Sequence, residues 1–357
     1  MEMHRTGRTV AFSGGISVLS WGSIGGKLEG QGPLGSYFDE IETDSFCGQA
    51  SWEKAESIFQ QRALGHALER GGMGPEDVDL VLAGDLLKTA LACALCRLLL
   101  APDLGRLAVL YASNFALRNQ PFSVAGLYAA CATMGEGLAL AAMLLQGGVA
   151  RVAAAVTSSH YCTAERQYRM PLPYGSQRCP TAQWTATASG CCILGRSGDG
   201  PYLTHATMGR VVDMGVNDEC NMGGAMAPAA IDTLETLFRD TRTTPQDYDL
   251  IVTGDLGAIG HSVVKDLMAR DGFNMDSRYT DCGLLLFDRE KQDMHAGGSG
   301  AGCSASVLCA YLLPGLKSRR WKRMIFAPTG ALQSPTTVFQ KETMPAVCHA
   351  VVLSAER

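Results

Sequence analysis

An internal repeat restricts the fold of this 357-residue chain more than any other feature. The stretches GPEDVDLVLAGDL (74–86) and TPQDYDLIVTGDL (244–256) align without a gap and share seven of thirteen residues. In each, a turn precedes a short run rich in leucine and β-branched residues, and a Gly-Asp pair closes it, which is typical of a strand. The repeat predicts two similar halves, each with a strand ending at an aspartate: Asp85 in the first and Asp255 in the second.

The repeat continues towards the end of each half. Cys131 precedes Arg151 by twenty residues, and Cys303 precedes Arg323 by the same distance. We therefore pair Arg151 with Arg323. The helical stretches in between carry apolar residues on more than one face, which predicts burial on both sides. Buried helices between two mostly parallel sheets form a layered α/β fold. We assign the first half to residues 1–205 and the second to 206–357.

Composition narrows the class of protein. The net charge is −5, and the one concentrated basic stretch is KSRRWKR (317–323), so nucleic-acid binding is not expected. The thirteen cysteines show neither a zinc spacing nor a disulfide pattern, which predicts free thiols in a reducing compartment, with Cys93 and Cys96 as packing residues. No signal peptide or membrane-spanning segment is predicted. These features predict a protein that is not secreted.

Cys131 stands among small residues before a helical stretch, where a helix dipole would favour its thiolate. Acyl transfer would also need a base and oxyanion donors. If Asp85 and Asp255 lie beside Cys131, their charge raises the thiol pKa, and the site suits a hard cation or a small polar ligand better. Alternatively, both aspartates cap strand ends and Cys131 serves in packing.

Several motifs resemble one known family. ACATMGEG, TSSHYCTAERQYR, AGGSGAGCSA and TGALQSPT occur in order, with other matching stretches, through nearly the whole chain. Together they are similar to the stage V sporulation protein AD family, a branch of the thiolase superfamily. The resemblance implies a thiolase-like layered αβαβα fold built from two pseudo-symmetric halves with buried central helices. Residues 90–111 have no counterpart in the family and are interpreted as an insertion.

The resemblance also implies which chemistry is missing. Aligned by motif, the histidine of the thiolase Gly-His-Pro loop falls on Ser299, and a histidine of ketoacyl synthases falls on Asp255. His261 and His295 remain close to these loops in the sequence. The family implies non-catalytic binding of dipicolinic acid, as its calcium chelate, with no catalytic residue, no metal site of the protein's own and no further cofactor. The expected ligand contacts are Asp85, Cys131, Thr133, His160, Asp255 and Ser299.

Partners and alternatives follow from the same resemblance. It implies association with other SpoVA proteins, a cytoplasmic location peripheral to the spore inner membrane, support of dipicolinic acid uptake into the developing spore, and a homodimer. Arg166 and Arg169 either form ion pairs or bind the ligand carboxylates, and His160 either faces the pocket or is structural. One alternative is an acyltransferase with Cys131 as nucleophile and His261 or His295 as base. Another is a structural subunit with a vestigial pocket.

Overall fold

The computed structural model of the chain describes residues 3–86, 111–168, 178–334, 337–338 and 340–357. Residues 90–110 of the predicted insertion, with Cys93 and Cys96, lie outside them, as do the side chains of Arg166 and Arg169. The strands are β1 Met3–Thr6, β2 Thr9–Gly26, β3 Glu40–Glu42, β4 Leu80–Gly84, β5 Ser123–Gly126, β6 Val152–Ser159, β7 Trp184–Thr185, β8 Ala188–Gly195, β9 Tyr202–Thr207, β10 Leu250–Thr253, β11 Tyr279–Asp281, β12 Gly298–Ser299, β13 Arg323–Ala327, β14 Thr329–Ala331, β15 Ala346–Cys348 and β16 Ala350–Ser354.

The α-helices vary from one turn to twenty residues. They are α1 Lys27–Gly30, α2 Trp52–Gly71, α3 Tyr111–Ala116, α4 Thr133–Gln146, α5 Tyr161–Tyr168, α6 Met222–Thr241, α7 Gly257–Arg270, α8 Cys282–Leu286, α9 Ala301–Val307 and α10 Leu313–Lys317. A π-helical segment, Leu308–Leu312, joins α9 to α10. Pro314 follows it and has no N–H to donate, which favours such a break in the α-helical pattern. No helix in the described ranges has both the length and the apolar character needed to cross a membrane.

The main sheet repeats one arrangement on either side of its centre. Its order is β11-β10-β13-β16-β9-β2-β8-β6-β4-β5. In the first half, β4 runs parallel to β5 and β6, and β6 is antiparallel to β8. In the second half, β10 runs parallel to β11 and β13, and β13 is antiparallel to β16. The layered α/β fold predicted from the repeat is confirmed.

Two details differ from the prediction. The expected two mostly parallel sheets are wrong, because twelve strands form one continuous mixed sheet, in which the long β2 pairs with β9 through residues 9–17 and with β8 through residues 17–25. Two small sheets, β7 with β12 and β14 with β15, complete the strands. No alternation in the sequence marks the point at which β2 changes partner. The division at residue 205 falls inside β9, and the two-domain division itself stays a prediction.

The aspartates that both copies of the repeat share make equivalent hydrogen bonds. Asp77 and Asp247 accept hydrogen bonds from the backbone N–H groups of Gly74 and Thr244, three residues earlier, and close equivalent 3₁₀ turns. The next aspartate, Asp79 or Asp249, accepts backbone N–H groups at the start of the neighbouring strand. Each repeat therefore uses one aspartate for its turn and one to join two strands.

The strand register corrects the pairing of the two copies by one residue. Leu80 lies opposite Ala153, and its repeat partner Leu250 lies opposite Met324. Consistently, Asp79 accepts from Arg151 N–H at 2.7 Å, whereas Asp249 accepts from Lys322 N–H at 2.6 Å. The predicted equivalence of Arg151 with Arg323 is therefore wrong. Arg151 corresponds to Lys322.

The central helices are buried as predicted. Helix α4 packs against β6 and β4 of its own half and against β16 of the other. All seven residues of α9 are buried, and this helix packs against β8 and β6 of the first half. Each central helix therefore contacts strands of both halves, and the N-terminal ends of α4 and α9 come together near Cys131.

Candidate functional site

Cys131 lies two residues before α4, in a turn that the backbone holds tightly. Ala130 adopts a left-handed conformation, with φ of 50°. Thr133, in the first turn of α4, accepts from the Ala129 N–H at 3.1 Å and donates to the Ala130 carbonyl at 2.6 Å. The turn and the helix together place the thiol at the N-terminal end of a fourteen-residue helix.

Asp255 and Ser299 lie next to this thiol. The Cys131 sulfur lies 4.0 Å from the Ser299 Oγ, and the Asp255 carboxylate is close enough to raise the pKa of the thiol. Asp255 accepts from the Ser299 hydroxyl at 2.8 Å, the Gly300 N–H at 3.2 Å and the Thr329 hydroxyl at 3.0 Å. The structure therefore brings together three of the six predicted contact residues, one from each of three loops.

A cavity of about 100 Å³ opens beside this cluster. Its wall mixes small apolar groups with carboxylates, hydroxyls, thiols and amides: Leu86, Ala130, Cys131, Ala164, Glu165, Thr185, Glu219, Cys220, Met222, Ser299, Ala331 and Gln333. Glu165 is buried, and its carboxylate accepts from the Thr185 hydroxyl at 3.1 Å. Glu219 is exposed at the rim. Among these lining residues are two carboxylates and no lysine or arginine.

Three predicted contact residues do not belong to this wall. Asp85 is fully buried and accepts from the backbone N–H and the hydroxyl of Ser113 in α3, at 2.9 and 2.8 Å. Thr133 supports the Cys131 turn, as described above, and is also fully buried. Asp85 is not in the cavity wall, and its hydrogen bonds with Ser113 hold its carboxylate against α3. The alternative that it caps the end of a strand agrees with this geometry.

His160 is the third residue outside the wall. Its Nε2 donates to the Ser45 carbonyl at 2.8 Å, and its Nδ1 accepts from the Cys162 N–H at 3.2 Å. Burial lowers the pKa of His160 to about 4, although the bond to Ser45 acts in the opposite direction. Both ring nitrogens are thus used in local contacts of a neutral imidazole. His160 borders a separate cavity of about 140 Å³.

No histidine reaches the wall of the cavity beside Cys131, although the structure describes all seven. His261 stacks on Tyr279, with ring centroids 4.3 Å apart. The Nδ1 of His295 lies 2.7 Å from the Cys179 carbonyl, and its Nε2 lies 3.1 Å from Asp293. Neither ring is placed to take a proton from Cys131. In the part of the chain that the structure describes, no group of three or more histidine, cysteine or acidic residues could hold a metal ion.

The electrostatics disfavour a thiolate at Cys131. Burial, and next the Asp255 carboxylate, raise the pKa of this thiol well above its usual range. Burial also raises the pKa of Asp255 to about 6, against the hydrogen bonds that it accepts. At neutral pH Asp255 is therefore mainly ionised and Cys131 remains a thiol. The helix dipole acts in the opposite direction but is outweighed.

A second pair of thiols lies at the rim of the cavity. Cys220 is in the wall, and its side chain contacts Cys179. Burial acts to raise the pKa of Cys179, but hydrogen bonds with Thr181 and with Cys220 outweigh it, and the pKa is lowered. All eleven cysteines in the described ranges are free thiols. Cys179 is thus a better nucleophile than Cys131 at neutral pH.

Sequence reasoning missed Glu165, Glu219 and Cys220 as wall residues. Glu165 belongs to the TSSHYCTAERQYR motif, but only the histidine and the arginines of that motif drew attention. It follows Ala164 in α5, and both line the cavity. Glu219 and Cys220 come from the loop before α6, which carries no recognisable motif. Adjacent residues of a helix do not share a face, so periodicity in α5 did not indicate Glu165 either.

Behind Asp85 lies another buried carboxyl group, that of Glu56. It accepts from the hydroxyls of Ser158 and Thr163, both at 2.9 Å. Burial, with a contribution from the Asp85 charge, raises the pKa of Glu56 to about 8. The folded state therefore binds a proton that the unfolded chain releases at lower pH. Stability from this group is fully present below the unfolded pKa near 4.5 and is lost as the pH rises through about 8.

We accordingly expect Glu56→Gln to flatten the pH dependence of stability. Between pH 6 and 9 the wild-type free energy of unfolding should fall by about 1–3 kcal/mol more than that of the variant, since the glutamine never ionises. Urea unfolding followed by circular dichroism at both pH values measures the difference. Equal slopes in the two proteins would show that Glu56 is already ionised at pH 6.

Comparison with known proteins assigns the family. A family model described as Stage V sporulation protein AD (SpoVAD) matches residues 6–106 and 88–354. The chain belongs to the SpoVAD family. Stage V sporulation protein AD of Bacillus subtilis (strain 168) is 40% identical over 351 residues, which are 98% of this chain and 98% of that protein. The SpoVAD resemblance of the sequence motifs is confirmed.

Solved structures confirm the fold of this SpoVAD-family chain. The 3-oxoacyl-[acyl-carrier-protein] synthase III from Aquifex aeolicus VF5 superposes with a TM-score of 0.55 at 13% identity, over 95% of this chain and all of that chain. A point variant of OleA from Xanthomonas campestris gives a TM-score of 0.57 at 14% identity, over 95% of this chain and 98% of that chain. The chain therefore has the thiolase-like fold of condensing enzymes. At this identity the likeness shows the fold alone.

Proposed function

We propose that this SpoVAD-family chain binds dipicolinic acid, as its calcium chelate, in the cavity beside Cys131, without covalent catalysis. The observation that supports this most is the Ser299 hydroxyl, which lies 4.0 Å from the Cys131 sulfur and donates to the Asp255 carboxylate at 2.8 Å, so that a carboxylate adjoins the thiol. A nucleophilic cysteine needs a group that stabilises its thiolate and a base that accepts its proton. Here the neighbouring groups are a carboxylate and the hydroxyl of Ser299.

The charges of the wall favour a ligand that brings a cation. Glu165 and Glu219 line the cavity, and Asp255 lies directly behind it. A dicarboxylate on its own would meet repulsion from these groups, whereas the calcium chelate presents a hard cation to carboxylate and hydroxyl oxygens. Calcium in this proposal arrives with the ligand and needs no site formed by the protein alone.

The wider role follows the family. The chain would support dipicolinic acid uptake into the developing spore together with other SpoVA proteins, from a place peripheral to the spore inner membrane, and as a homodimer. The competing hypotheses are an acyltransferase that uses Cys131 and a structural subunit whose cavity binds nothing. Each of them predicts a different result in a single titration.

Calorimetric titration with dipicolinic acid, with and without calcium, tests the proposal. We expect saturable binding that is at least about tenfold tighter with calcium, because the cation offsets the repulsion from Glu165 and Glu219. Cys131→Ala should weaken this binding about threefold to tenfold, which corresponds to the loss of one buried polar contact. Cys162→Ala, at a half-buried thiol outside the wall, is the matched control and should bind as the wild type does.

Acetyl- and malonyl-coenzyme A serve as competing ligands in the same experiment. A coenzyme A heat together with a Cys131-dependent acyl adduct in the intact mass, and no dipicolinate heat, would establish the acyltransferase instead. No heat with any of these ligands from folded protein would leave the structural subunit.

A further inference from the structure

The turn between α10 and β13 concentrates positive charge at one end of the sheet. Residues 317–323, KSRRWKR, are termed here the basic turn. Lys317, Arg319, Arg320 and Lys322 are exposed. The exposed Glu356 pairs with Arg319 at 3.1 Å, and both side chains are more than half exposed, so this ion pair contributes little. A chain with a net charge of −5 thus carries a local cluster of cations.

The first half contains the same turn with only one of these charges, Arg151 in place of Lys322. Helix α4 ends at Gln146 and α10 at Lys317, and both turns pass through a left-handed residue, Gly148 with φ of 75° and Arg319 with φ of 61°. In both, an aspartate just before a parallel strand accepts a backbone N–H of the turn: Asp79 from Arg151, and Asp249 from Lys322. The two turns have equal length, since Arg151 corresponds to Lys322.

This comparison shows that the fold does not require the cations. The first copy has Gln146, Gly148 and Val149 where the second copy has Lys317, Arg319 and Arg320. The left-handed position favours glycine, so an arginine there costs backbone strain that the first copy avoids. Lys317 donates to the Gly200 carbonyl at 3.2 Å and Arg319 pairs with Glu356, yet both side chains stay exposed, so their charge remains available to a partner outside the chain.

Aromatic side chains adjoin the cations. The Arg320 guanidinium lies over the rings of Tyr311 and Trp321, 5.1 and 4.7 Å from their centroids. The exposed ring of Tyr37 meets Tyr311 edge-on at 5.2 Å, and Trp321 meets Tyr311 at 5.6 Å. In place of Trp321 the first copy has the small Ala150. Protein surfaces that face the headgroup layer of a bilayer are rich in lysine and arginine together with tryptophan and tyrosine.

The basic turn and the cavity lie at opposite ends of one strand. β13 starts at Arg323 and ends at Ala327, and Thr329, just beyond, donates to Asp255. Six residues of extended chain separate these ends by about 20 Å. Contact through the basic turn would leave the wall beside Cys131 uncovered.

We propose that the basic turn binds directly to the surface of an anionic phospholipid bilayer. This goes beyond association through protein partners and is separate from ligand binding, because the two surfaces are apart. A bilayer fits better than nucleic acid because the cations are confined to one turn with an aromatic platform beside them, whereas a nucleic-acid footprint extends along a face. Anionic headgroups attract each cation near the surface, and salt screens the attraction.

Co-sedimentation of the full chain with vesicles tests this inference. Wild type should bind vesicles that contain phosphatidylglycerol, bind pure phosphatidylcholine vesicles at least about tenfold less well, and be released by high salt. The variant Lys317→Gln with Arg319→Gly installs the residues of the first copy and removes two charges. Its partition coefficient should fall about 25-fold, at about fivefold per charge. Lys27→Ala with Lys54→Ala, two exposed lysines outside the turn, removes the same charge and should change it less than about twofold.

The outcomes separate cleanly. Equal binding to both kinds of vesicle, or unchanged binding of the basic-turn variant, would overturn the inference. If the control pair weakened vesicle binding equally, binding would depend on the net charge of the chain and not on the basic turn, which would also overturn the inference. Binding of duplex DNA or polyglutamate that depends on the basic turn, without vesicle binding, would assign the turn to an acidic macromolecule. Dipicolinate titration of the same variants reports separately on the proposed function and should match the wild type.

Discussion

Gly302→Ala should lower the free energy of unfolding by about 3 kcal/mol. A Cβ at this position would lie 2.1 Å from the Ala188 carbonyl oxygen and 2.8 Å from the Ser159 nitrogen. Both atoms belong to the backbone of the sheet on which α9 rests, and neither moves without disturbing paired strands. Because α9 is buried along its whole length, the helix cannot shift outward without opening a gap.

Gly65→Ala is the control with the opposite sign. Gly65 lies in the middle of α2, is exposed, and has no atom within 4 Å of an added Cβ. Alanine there should stabilise the protein by about 0.5–1 kcal/mol through helix propensity. Urea unfolding followed by circular dichroism measures both variants. If Gly302→Ala is as stable as the wild type, the close packing of α9 on β6 and β8 is wrong.

Gly302 also shows how the two halves differ where their central helices begin. Cys131 lies two residues before α4, whereas Gly302 is the second residue of α9. The glycine lets the N-terminal end of α9 approach the sheet, and this approach brings Ser299 and Gly300 to Asp255. The site is therefore asymmetric although its scaffold is repeated.

The repeat explains which parts of the site could be predicted from the sequence. Cys131, Asp255 and Ser299 each occupy a junction between a strand and a helix, and a repeat places such junctions on one edge of the sheet. Asp85 occupies the same kind of junction, yet its carboxylate binds Ser113 and does not line the cavity. Short-range side-chain contacts of this kind leave no periodic signal in the sequence.

The alignment of the two copies at β6 and β13 was the other feature that the sequence did not predict correctly. The strands β6 and β13 share an arginine near their start, Arg151 and Arg323, and matching these identical residues shifted the alignment by one position. The true equivalence is given by the backbone N–H groups that Asp79 and Asp249 bind. Any residue except proline can supply such a group, so the identity of the residue does not reveal it. The wall residues Glu165 and Glu219 come from α5 and a loop outside the repeat, so no second copy indicated them.

Asp255→Asn should make Cys131 react at least about tenfold faster with iodoacetamide at about pH 7.5. The wild-type carboxylate, with a pKa of about 6, is ionised at this pH and opposes formation of the adjacent thiolate. Asparagine removes that charge and keeps one oxygen to accept from Ser299 or Thr329, so the dipole of α4 then acts on the thiol with less opposition. Mass mapping of the Cys131 peptide over time gives the rate and excludes signal from the more reactive Cys179.

Two further variants test whether the Asp255 charge is what slows the reaction of Cys131. Asp85→Asn makes the same change at the repeat-equivalent aspartate, which does not line the cavity, and the Cys131 rate should stay within about twofold of the wild type. Ser299→Ala should slow the reaction, because the Ser299 hydroxyl favours the thiolate. An unchanged rate in folded Asp255→Asn would mean that burial alone keeps Cys131 protonated. A rise in all three variants would indicate loosened packing in place of removed charge. With the predicted pattern, the Asp255 carboxylate adds to burial in opposing thiolate formation at Cys131.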